Sequence, residues 1–260
     1  MKEEKLKVLV VCKHPENSRE GRKCRIAHDK DFNVVYFWKN SLKKRDLKDA
    51  DLVVSIGGDG TALSASHFLF SRPLLAVNSS PQTSEGALTT INLDELDDKL
   101  REIKEGKHKI ERLERIEVSV NGKIKDSIAL NEVFVANEKA YLVSKYELKF
   151  KRGGKITKET QFSSGVIFST GTGSTAWFKS AGGEPFSPQE RFIRMIVREP
   201  YVRNLHKFSL LNQKIDEGDE IEIIPLTKMV LAVDSIREFK LKPGDKVKIQ
   251  PSRYPLLRVR

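Results

Sequence analysis

The sequence is poor in cysteine and contains no long apolar run. Its 260 residues include two cysteines, Cys12 and Cys24, whose spacing fits neither a zinc site nor a redox motif, so we expect no disulfide framework and no structural metal. The longest apolar runs, such as residues 6–11, fall far short of the roughly 20 residues that a membrane-spanning helix needs. The first residues include acidic groups and lead directly into an apolar run, which argues against a targeting segment. We therefore expect a cytoplasmic protein with no membrane partner.

The charge is unbalanced but diffuse. Lysine and arginine number 47 against 36 aspartates and glutamates, which gives a net charge of +11. Acidic residues interleave with basic ones along most of the chain, as in residues 109–117, whereas a nucleic-acid surface usually clusters its basic residues and places aromatic residues among them. The pattern favours a solvated, lysine-rich surface that attracts nucleotides and other small polyanions. A nucleic-acid binder is the third and least favoured alternative.

Hydrophobic patterning indicates a parallel sheet in the first part of the chain. Four apolar runs alternate with polar or helical stretches, at residues 6–11, 32–38, 50–56 and 72–77. Uniformly apolar strands of this kind are typical of a sheet that helices cover on both faces. Between residues 92 and 105, apolar residues recur at spacings of three and four, which predicts an amphipathic helix.

After residue 106 the pattern changes to alternating polar and apolar residues broken by turn signals, which predicts a mostly antiparallel β domain. Within it, residues 187–200 are predicted to form a helix that begins at Ser187-Pro188 and ends before Pro200. The fold class is therefore α/β with a Rossmann-like parallel sheet, followed by an antiparallel β domain. The predicted domains are 1–95, 96–235 and a C-terminal segment, 236–260, that either stays with the second domain or rejoins the first.

A glycine-rich turn follows the third apolar run. Gly57, Gly58, Asp59, Gly60 and Thr61 separate a buried strand from a helix. Glycines let a backbone approach an anion closely, and a helix N-terminus adds partial positive charge, so this arrangement can bind phosphate. A carboxylate there repels phosphate unless it works through a metal ion or as a base on an incoming hydroxyl, which is the role Asp59 would have. The alternative is a tight turn in which Asp59 caps the helix, and the spacing alone leaves both open.

A second segment concentrates glycine and hydroxyl groups. Residues 169–177 read STGTGSTAW, follow the apolar run at 165–169 and precede SAGG at 180–183. A glycine-serine stretch is often a linker, but one between a strand and an aromatic-bearing helix favours a binding surface. The two segments together predict a site for a phosphorylated ligand.

Four blocks of the sequence resemble the NAD kinase family. They are GGDGT at 57–61, Asn131 with Glu132, TGTGSTAW at 170–177 with SAGG at 180–183, and VDSIREFKLKPGDKVKI at 233–249. Their order and spacing match throughout residues 6–260. The coincidence is specific, although GGDGT alone is shared with lipid kinases and phosphofructokinases. The resemblance implies the NAD kinase fold and an enzyme that phosphorylates NAD.

The chain departs from the usual pattern of that family in several places. Residues 78–86 read NSSPQTSEG where most members have Asn-x-Gly-x-Leu-Gly-Phe, and Ser164 stands where most have aspartate. Gly171, Trp177 and Ser235 replace proline, tyrosine and glycine, respectively. The departures resemble the divergent branch that includes mitochondrial NAD kinases. They bear on the phosphoryl donor, on preference for NAD or NADH, and on regulation more than on the reaction.

The resemblance also implies how the reaction would run. NAD would lie in a crevice between the two domains. Asp59 would accept the proton of the adenosine ribose 2′-hydroxyl as that oxygen attacks the γ-phosphorus of ATP. The neighbours of Asp59 would cradle phosphates while Mg²⁺ neutralises the developing charge. These neighbours are Gly57, Gly58, Gly60 and Thr61.

The remaining matches would bind the dinucleotide. Asn131 and Glu132 would hold ribose hydroxyls or the adenosine edge, and Trp177 would offer a flat face for stacking. Ser164 would bind a ribose weakly or only fill a turn. Asp234, at the end of an apolar run, is interpreted as a turn-starting residue and left out of the site. The adenine and nicotinamide riboside sites would be lined by Thr172, Gly173, Ser174, Thr175, Ala176 and Ser180.

No residue is assigned as a metal ligand, and the expected cofactors are ATP as donor, Mg²⁺ and NAD as substrate. The expected partners are small-molecule nucleotides and further copies of the chain in a homodimer or homotetramer. Two other readings stay open. A lipid kinase of the diacylglycerol or sphingosine type shares GGDGT, but it needs an apolar acyl pocket. A non-catalytic nucleotide sensor could use the same crevice, although it would gain nothing from a carboxylate beside phosphate.

Overall fold

The computed structural model describes residues 5–14, 18, 24–26, 31–82, 86–202 and 207–260. Of the divergent segment 78–86, Thr83, Ser84 and Glu85 therefore lie outside the described residues. The contacts divide the chain into two units, Met1–Arg112 with Leu256–Arg260, and Leu113–Pro255. These bounds differ from the predicted domains, because residues 96–112 group with the first unit and only the end of segment 236–260 joins it.

The first unit contains one sheet. Its strand order is β2-β1-β3-β4-β19-β6, with β5 paired to β4. The strands are β1 Leu6–Cys12, β2 Phe32–Trp38, β3 Leu52–Gly57, β4 Leu74–Asn78, β5 Ile91–Asn92, β6 Ile110–Leu113 and β19 Leu256–Val259. The pairings β1 with β2, β1 with β3, β3 with β4, and β4 with β19 and β5 are parallel. The four predicted strands and their parallel arrangement are therefore confirmed.

Two helices pack on this sheet. Helix α1, Asp59–Ser66, follows β3 and contacts β1, β3 and β4. Helix α2, Leu96–Lys104, buries Leu96, Leu100 and Ile103 in a core shared with β1, β3 and β4. The three- and four-residue spacing of those apolar side chains places them on one helical face, so the predicted amphipathic helix is confirmed.

The second unit is a sandwich of two antiparallel sheets, as the alternating pattern predicts. One sheet has the order β11-β10-β15-β18-β7-β8 and the other β14-β13-β12-β9-β16-β17. The first comprises β7 Ile116–Val120, β8 Lys123–Ile124, β10 Ser144–Arg152, β11 Lys155–Ser163, β15 Glu220–Pro225 and β18 Val247–Pro251. The second comprises β9 Glu132–Asn137, β12 Gly165–Ser169, β13 Ile193–Arg198, β14 Asn212–Ile215, β16 Met229–Val233 and β17 Arg237–Leu241. Side chains from both sheets share one apolar core.

The helix predicted for residues 187–200 is wrong. Residues Ile193–Arg198 form strand β13, paired between β12 and β14. Ile193, Met195 and Val197 are buried and the residues between them are partly exposed, which is the two-residue period of a strand. Pro188 and Pro200 resemble the start and stop signals of a helix, but prolines also occur next to the ends of strands. Near the glycine-hydroxyl loop, the described residues form a 3-10 turn at Gly173–Thr175 and one short α-helix, α3, at Trp177–Ser180.

The predicted fold class, a parallel α/β unit and an antiparallel β unit, is confirmed. Within the described ranges, no helix has the length and hydropathy that crossing a membrane requires.

Candidate active site

In the first unit, the sheet order reverses at β1, which lies between β2 and β3. Loops that leave the carboxyl ends of strands at such a reversal diverge and open a crevice, where ligands bind in open α/β sheets. The residues at this point are Lys13 after β1, Gly57 at the end of β3 and Gly58 after it. The backbone N–H of Lys13 donates to the Ile56 carbonyl at 3.1 Å, which holds the two strand ends together.

Asp59 begins α1 directly after this point. Its two carboxylate oxygens each accept one backbone N–H from the segment that follows β4: Oδ2 from Ala87 at 2.9 Å and Oδ1 from Leu88 at 2.8 Å. The carboxylate is partly exposed. Two oxygens offer about four acceptor positions, so an incoming hydroxyl still finds free lone pairs on a carboxylate whose plane is fixed. The segment after β4 therefore holds the Asp59 side chain, while the N-cap of α1 is Gly58.

The glycines around Asp59 differ in what surrounds them. A Cβ on Gly57 would overlap Oγ1 of Thr61, whose side chain is buried against it. A Cβ on Gly60 would meet nothing within 4 Å. Gly58 is the N-cap of α1 and has extended backbone angles. The structure thus places Thr61 as packing beneath the turn, and it leaves the surface over Gly60 open to a ligand.

In the second unit, Asn131 and Glu132 stand at the start of β9, between the end of β12 and the end of β16. Asp234, just after β16, anchors them. Its Oδ1 accepts the N–H groups of Asn131 at 2.8 Å and Glu132 at 2.9 Å, and its Oδ2 accepts that of Leu130 at 2.7 Å. Asp234 also has a φ of +50°, so it starts a turn, as predicted from the sequence. The same residue fixes the backbone of the predicted site, which the sequence interpretation missed.

Glu132 is a buried carboxyl group. Burial, followed by the nearby charge of Asp234, raises the pKa of Glu132 to about 7, while a hydrogen bond with Ser235 opposes the rise. A carboxyl group that titrates near neutral pH can accept or donate a hydrogen bond according to its ligand. Strongly shifted pKa values of this origin are typical of functional sites.

Because Glu132 is buried, Glu132→Gln should stabilise the protein at alkaline pH. The folded-state pKa, about 7, lies above the unfolded value of 4.5, so folded-state stability falls as the pH rises from 4.5 to 7. At 1.36 kcal/mol per pKa unit, ionisation of the buried Glu132 lowers the free energy of unfolding by about 3 kcal/mol above pH 7. A glutamine at this position stays neutral and does not cause this loss. Urea unfolding at pH 5 and pH 8 should show a larger advantage of Glu132→Gln at pH 8, and an equal advantage at both would contradict the assignment.

The glycine-hydroxyl loop is pinned over the start of β9. The Thr170 hydroxyl donates to the Leu130 carbonyl at 2.5 Å, and its N–H donates to the Asn131 carbonyl at 3.0 Å. A Cβ on Gly173 would overlap the Asn131 backbone. Glycine at position 173 therefore lets the loop pack directly against the backbone at the start of β9.

The predicted ligand-binding residues of this loop fall into three kinds. The Ser174 hydroxyl is buried and donates to the Gly171 carbonyl at 2.7 Å, so it supports the loop. The Thr172 hydroxyl oxygen is buried and has no hydrogen-bond partner in the described part of the chain. Thr175, Ala176 and Ser180 are exposed. A buried hydroxyl without a partner forfeits a hydrogen bond, so the Thr172 oxygen can still bond a water molecule or a ligand atom that reaches the loop.

Trp177 and Ser164 belong to a separate cluster. The Trp177 ring packs on Phe134, with ring centroids 4.6 Å apart, and the Arg198 guanidinium lies 5.5 Å from the Trp177 ring centroid. Ser164 donates its N–H to the Arg198 carbonyl at 3.0 Å. A hydrogen bond from the Ser164 hydroxyl lowers the pKa of Glu199, and the charge of Arg198 lowers it further. Ser164 thus lies at the opposite end of β12 from Thr170 and beside an arginine-glutamate pair.

The described residues include no group of three or more histidine, cysteine, aspartate or glutamate side chains that could hold a metal ion. Mg²⁺ is usually bound through one or two carboxylates, substrate phosphates and water, without a full cage of protein ligands. Asp59 is a carboxylate suited to that arrangement, so the residues present fit a magnesium ion that arrives with a nucleotide.

Two sequence profiles together match almost the whole chain. The profile described as the ATP-NAD kinase N-terminal domain matches residues 4–108, and the one described as the ATP-NAD kinase C-terminal domain matches residues 107–260. The chain belongs to the ATP-NAD kinase family. The NAD kinase predicted from the four sequence blocks is thereby confirmed.

Individual NAD kinases are similar along most of their length. The NAD kinase of Azotobacter vinelandii is 32% identical over 228 residues, which cover 84% of this chain and 74% of that protein. The NAD kinase of Aquifex aeolicus is 29% identical over 267 residues, covering 95% and 91%. The NAD kinase of Methanosarcina barkeri is 29% identical over 214 residues, covering 81% and 73%.

Solved structures of NAD kinases share the fold. An NAD kinase from Archaeoglobus fulgidus in complex with ATP gives a TM-score of 0.74 at 24% identity and covers 98% of this chain and 94% of its own. Yeast NADH kinase complexed with NADH gives a TM-score of 0.80 at 21% identity, covering 98% and 83%. The predicted NAD kinase fold is therefore confirmed.

Proposed function

We propose that this NAD kinase transfers the γ-phosphate of ATP to the 2′-hydroxyl of the adenosine ribose of NAD or NADH. The observation that carries the proposal is the Asp59 carboxylate, fixed by the N–H groups of Ala87 and Leu88 where the phosphate-binding turn meets α1. A lone phosphate site would gain nothing from a negative group there. A carboxylate that must accept a proton beside a phosphate explains the arrangement.

Asp59 acts as general base. As the 2′-hydroxyl oxygen forms a bond to the γ-phosphorus, its proton passes to a carboxylate oxygen of Asp59 and the bond between the γ-phosphorus and the bridging oxygen breaks, releasing ADP. The two hydrogen bonds from the backbone N–H groups of Ala87 and Leu88 fix the direction of the carboxylate. Phosphoryl transfer depends mainly on such positioning and on electrostatic stabilisation.

Gly57, Gly58 and Gly60 receive the phosphates of ATP at the N-terminus of α1, whose partial positive charge favours an anion. Mg²⁺, bound with the nucleotide, supplies positive charge that neutralises the transferring group. The open space at Gly60 supports this role, because it leaves the backbone accessible to an anion.

Gly60→Ala should separate stability from nucleotide binding. A methyl group there meets no protein atom within 4 Å, and alanine favours a helix over glycine by about 0.5–1 kcal/mol. The melting temperature should hold or rise, while the KM for ATP rises about tenfold because the methyl occupies the phosphate approach. Gly57→Ala is the contrast, since its methyl overlaps Thr61 and should lower stability. An unchanged KM in Gly60→Ala would contradict phosphate binding at this surface.

The second unit binds the dinucleotide. The Thr172 hydroxyl, orphaned inside the loop, and the carboxyl group of Glu132, which titrates near neutral pH, offer hydrogen bonds to ribose hydroxyls and base edges. Asn131 adds an amide at the same strand end. Thr175, Ala176 and Ser180 form the exposed side of this surface, and Ser164 with Trp177 contributes at the far end of β12.

The decisive experiment is a coupled assay of the purified protein with ATP, magnesium and either NAD or NADH. We expect NADP or NADPH to form, and we expect a chelator to stop the reaction. Parallel arms with polyphosphate identify the donor, and an arm with diacylglycerol tests the lipid kinase alternative. Lipid phosphorylation without NADP, or nucleotide binding without turnover, would overturn the proposal.

We propose also that the protein is cytoplasmic, and that it is a homodimer or homotetramer with no nucleic-acid partner. The turn between β9 and β10 supports assembly, because Tyr141, Leu142 and Val143 are exposed by 79%, 46% and 48%. Neighbouring exposed apolar side chains of this kind offer a surface that a second copy of the chain can cover. Light scattering of the wild type and of Leu142→Ser tests it, and a monomeric wild type would contradict it.

A further inference from the structure

Arg258 is a buried cation at the end of the described chain. It lies on β19, and its side chain is 7% exposed. Glu111 of β6 accepts its Nε at 2.9 Å and its Nη2 at 2.6 Å. A buried guanidinium is costly unless every donor is used. The two-pronged bond to Glu111 leaves the other terminal nitrogen, Nη1, to find partners elsewhere.

Nη1 bonds the segment that holds Asp59. It donates to the carbonyls of Ala87 at 3.2 Å and Leu88 at 3.3 Å. The Ala87 carbonyl and the Leu88 N–H belong to one planar peptide group, and that N–H donates to Oδ1 of Asp59 at 2.8 Å. Arg258 therefore bonds the carbonyl of a rigid peptide group whose N–H bonds the Asp59 carboxylate. A donor on the carbonyl also polarises the peptide and strengthens the hydrogen bond that the peptide N–H donates, by about 10–30%.

We propose that Arg258 is a positioning residue for Asp59, acting through the Ala87–Leu88 peptide. The inference rests on the proposed role of Asp59 as general base. The chain of contacts runs from Glu111 through Arg258 to the peptide and then to Asp59. All four lie in the first unit. The last strand of the sheet thus fixes the direction of a carboxylate that the GGDGT turn supplies.

The chain offers a matched control. Arg260 also bonds Glu111, with its Nε at 3.0 Å from Oε2, but it is 58% exposed. Neither carbonyl of the Ala87–Leu88 segment accepts a bond from it within the described residues. Arg258→Gln and Arg260→Gln remove the same charge from the same glutamate, and only the first releases the peptide that holds Asp59.

We expect Arg258→Gln to lower kcat about 10–100-fold, since a misplacement of about 1 Å at a reacting group costs up to about 10²-fold. The KM values for ATP and NAD should change less than about threefold, because substrate contacts are retained. Arg260→Gln should stay within about twofold of the wild type. Circular dichroism melts confirm that each variant is folded at the assay temperature. Wild-type kcat in folded Arg258→Gln would overturn the proposal.

A double-mutant cycle separates positioning from general destabilisation. In an Asp59→Asn background, Arg258→Gln should cost no further activity, because the group it positions has gone. An equal loss in both backgrounds would overturn the proposal. Full activity of Asp59→Asn would instead refute the proposed base, which is a distinct result. If Arg258→Gln does not fold, Arg258→Lys serves: it keeps the charge beside Glu111 but lacks the planar fork, so a folded Arg258→Lys with wild-type kcat would also overturn it.

Discussion

Replacing Asp59 with asparagine should lower kcat about 10²–10⁴-fold, the usual contribution of a positioned general base. Asparagine is the same size, and its amide oxygen can still accept one of the N–H groups of Ala87 and Leu88. Its NH₂ group would face the other, so a loss of about 1 kcal/mol in stability is expected, which lowers the melting temperature of a chain this size by about 2–4 °C. Single-turnover kinetics should show the loss in the chemical step.

A second aspartate in the same unit provides the control. Asp46 accepts the backbone N–H of Lys43 at 2.8 Å in a short helical turn. Asp46→Asn makes the same chemical change at a capping carboxylate and should leave kcat near wild type. If Asp59→Asn behaves like Asp46→Asn, Asp59 is only a structural carboxylate and the proposed mechanism fails.

The largest expected loss of stability follows from Asp234→Ala. The substitution leaves the N–H groups of Leu130, Asn131 and Glu132 without their acceptor, and an unsatisfied buried donor costs about 1–3 kcal/mol. Alanine also tolerates the φ of +50° less well than aspartate. A total of at least about 3 kcal/mol is expected, which lowers the melting temperature by about 10 °C.

Asp234→Asn is the milder companion, because its amide keeps one oxygen and tolerates the same backbone angle. Thermal and urea unfolding should rank the wild type above Asp234→Asn and Asp234→Asn above Asp234→Ala. Removing the charge of Asp234 should also lower the pKa of Glu132 toward its ordinary value, since that charge contributes to raising it. Equal stability of all three proteins would show that the anchoring bonds contribute nothing.

The parts of the molecule that were predictable from sequence are those set by local pattern. The strands of the first sheet and helix α2 follow from apolar spacing, and the glycine turn at Asp59 follows from a strand running into a helix. The helix predicted for residues 187–200 was wrong because two prolines resemble helix boundaries. The alternation of Ile193, Met195 and Val197 is the signal of the strand that forms there.

The missed parts depend on long-range contacts. Asp234 contacts Glu132 across 102 residues, and Arg258 contacts Ala87 across 171. Each looks locally like an ordinary turn or strand residue, so no periodicity or spacing marks its partner. Glu132 had a local signal, an acid within an apolar run, which predicts a functional carboxyl group. The structure shows that this group is buried, and its role in binding stays a prediction.

The place of β19 within the first sheet has a consequence for how the chain is made. β19 lies between β4 and β6, and Arg258 pairs with Leu74, more than 180 residues earlier. During synthesis, strands β1 to β4 emerge long before the strand that completes their sheet, while the sandwich of residues 113–255 can close first. Pairing across such a separation is slow and leaves a sheet edge exposed meanwhile. A nascent chain that stops before residue 256 would therefore hold a complete GGDGT turn beside an open edge, prone to misassembly and without the arginine that steadies its carboxylate.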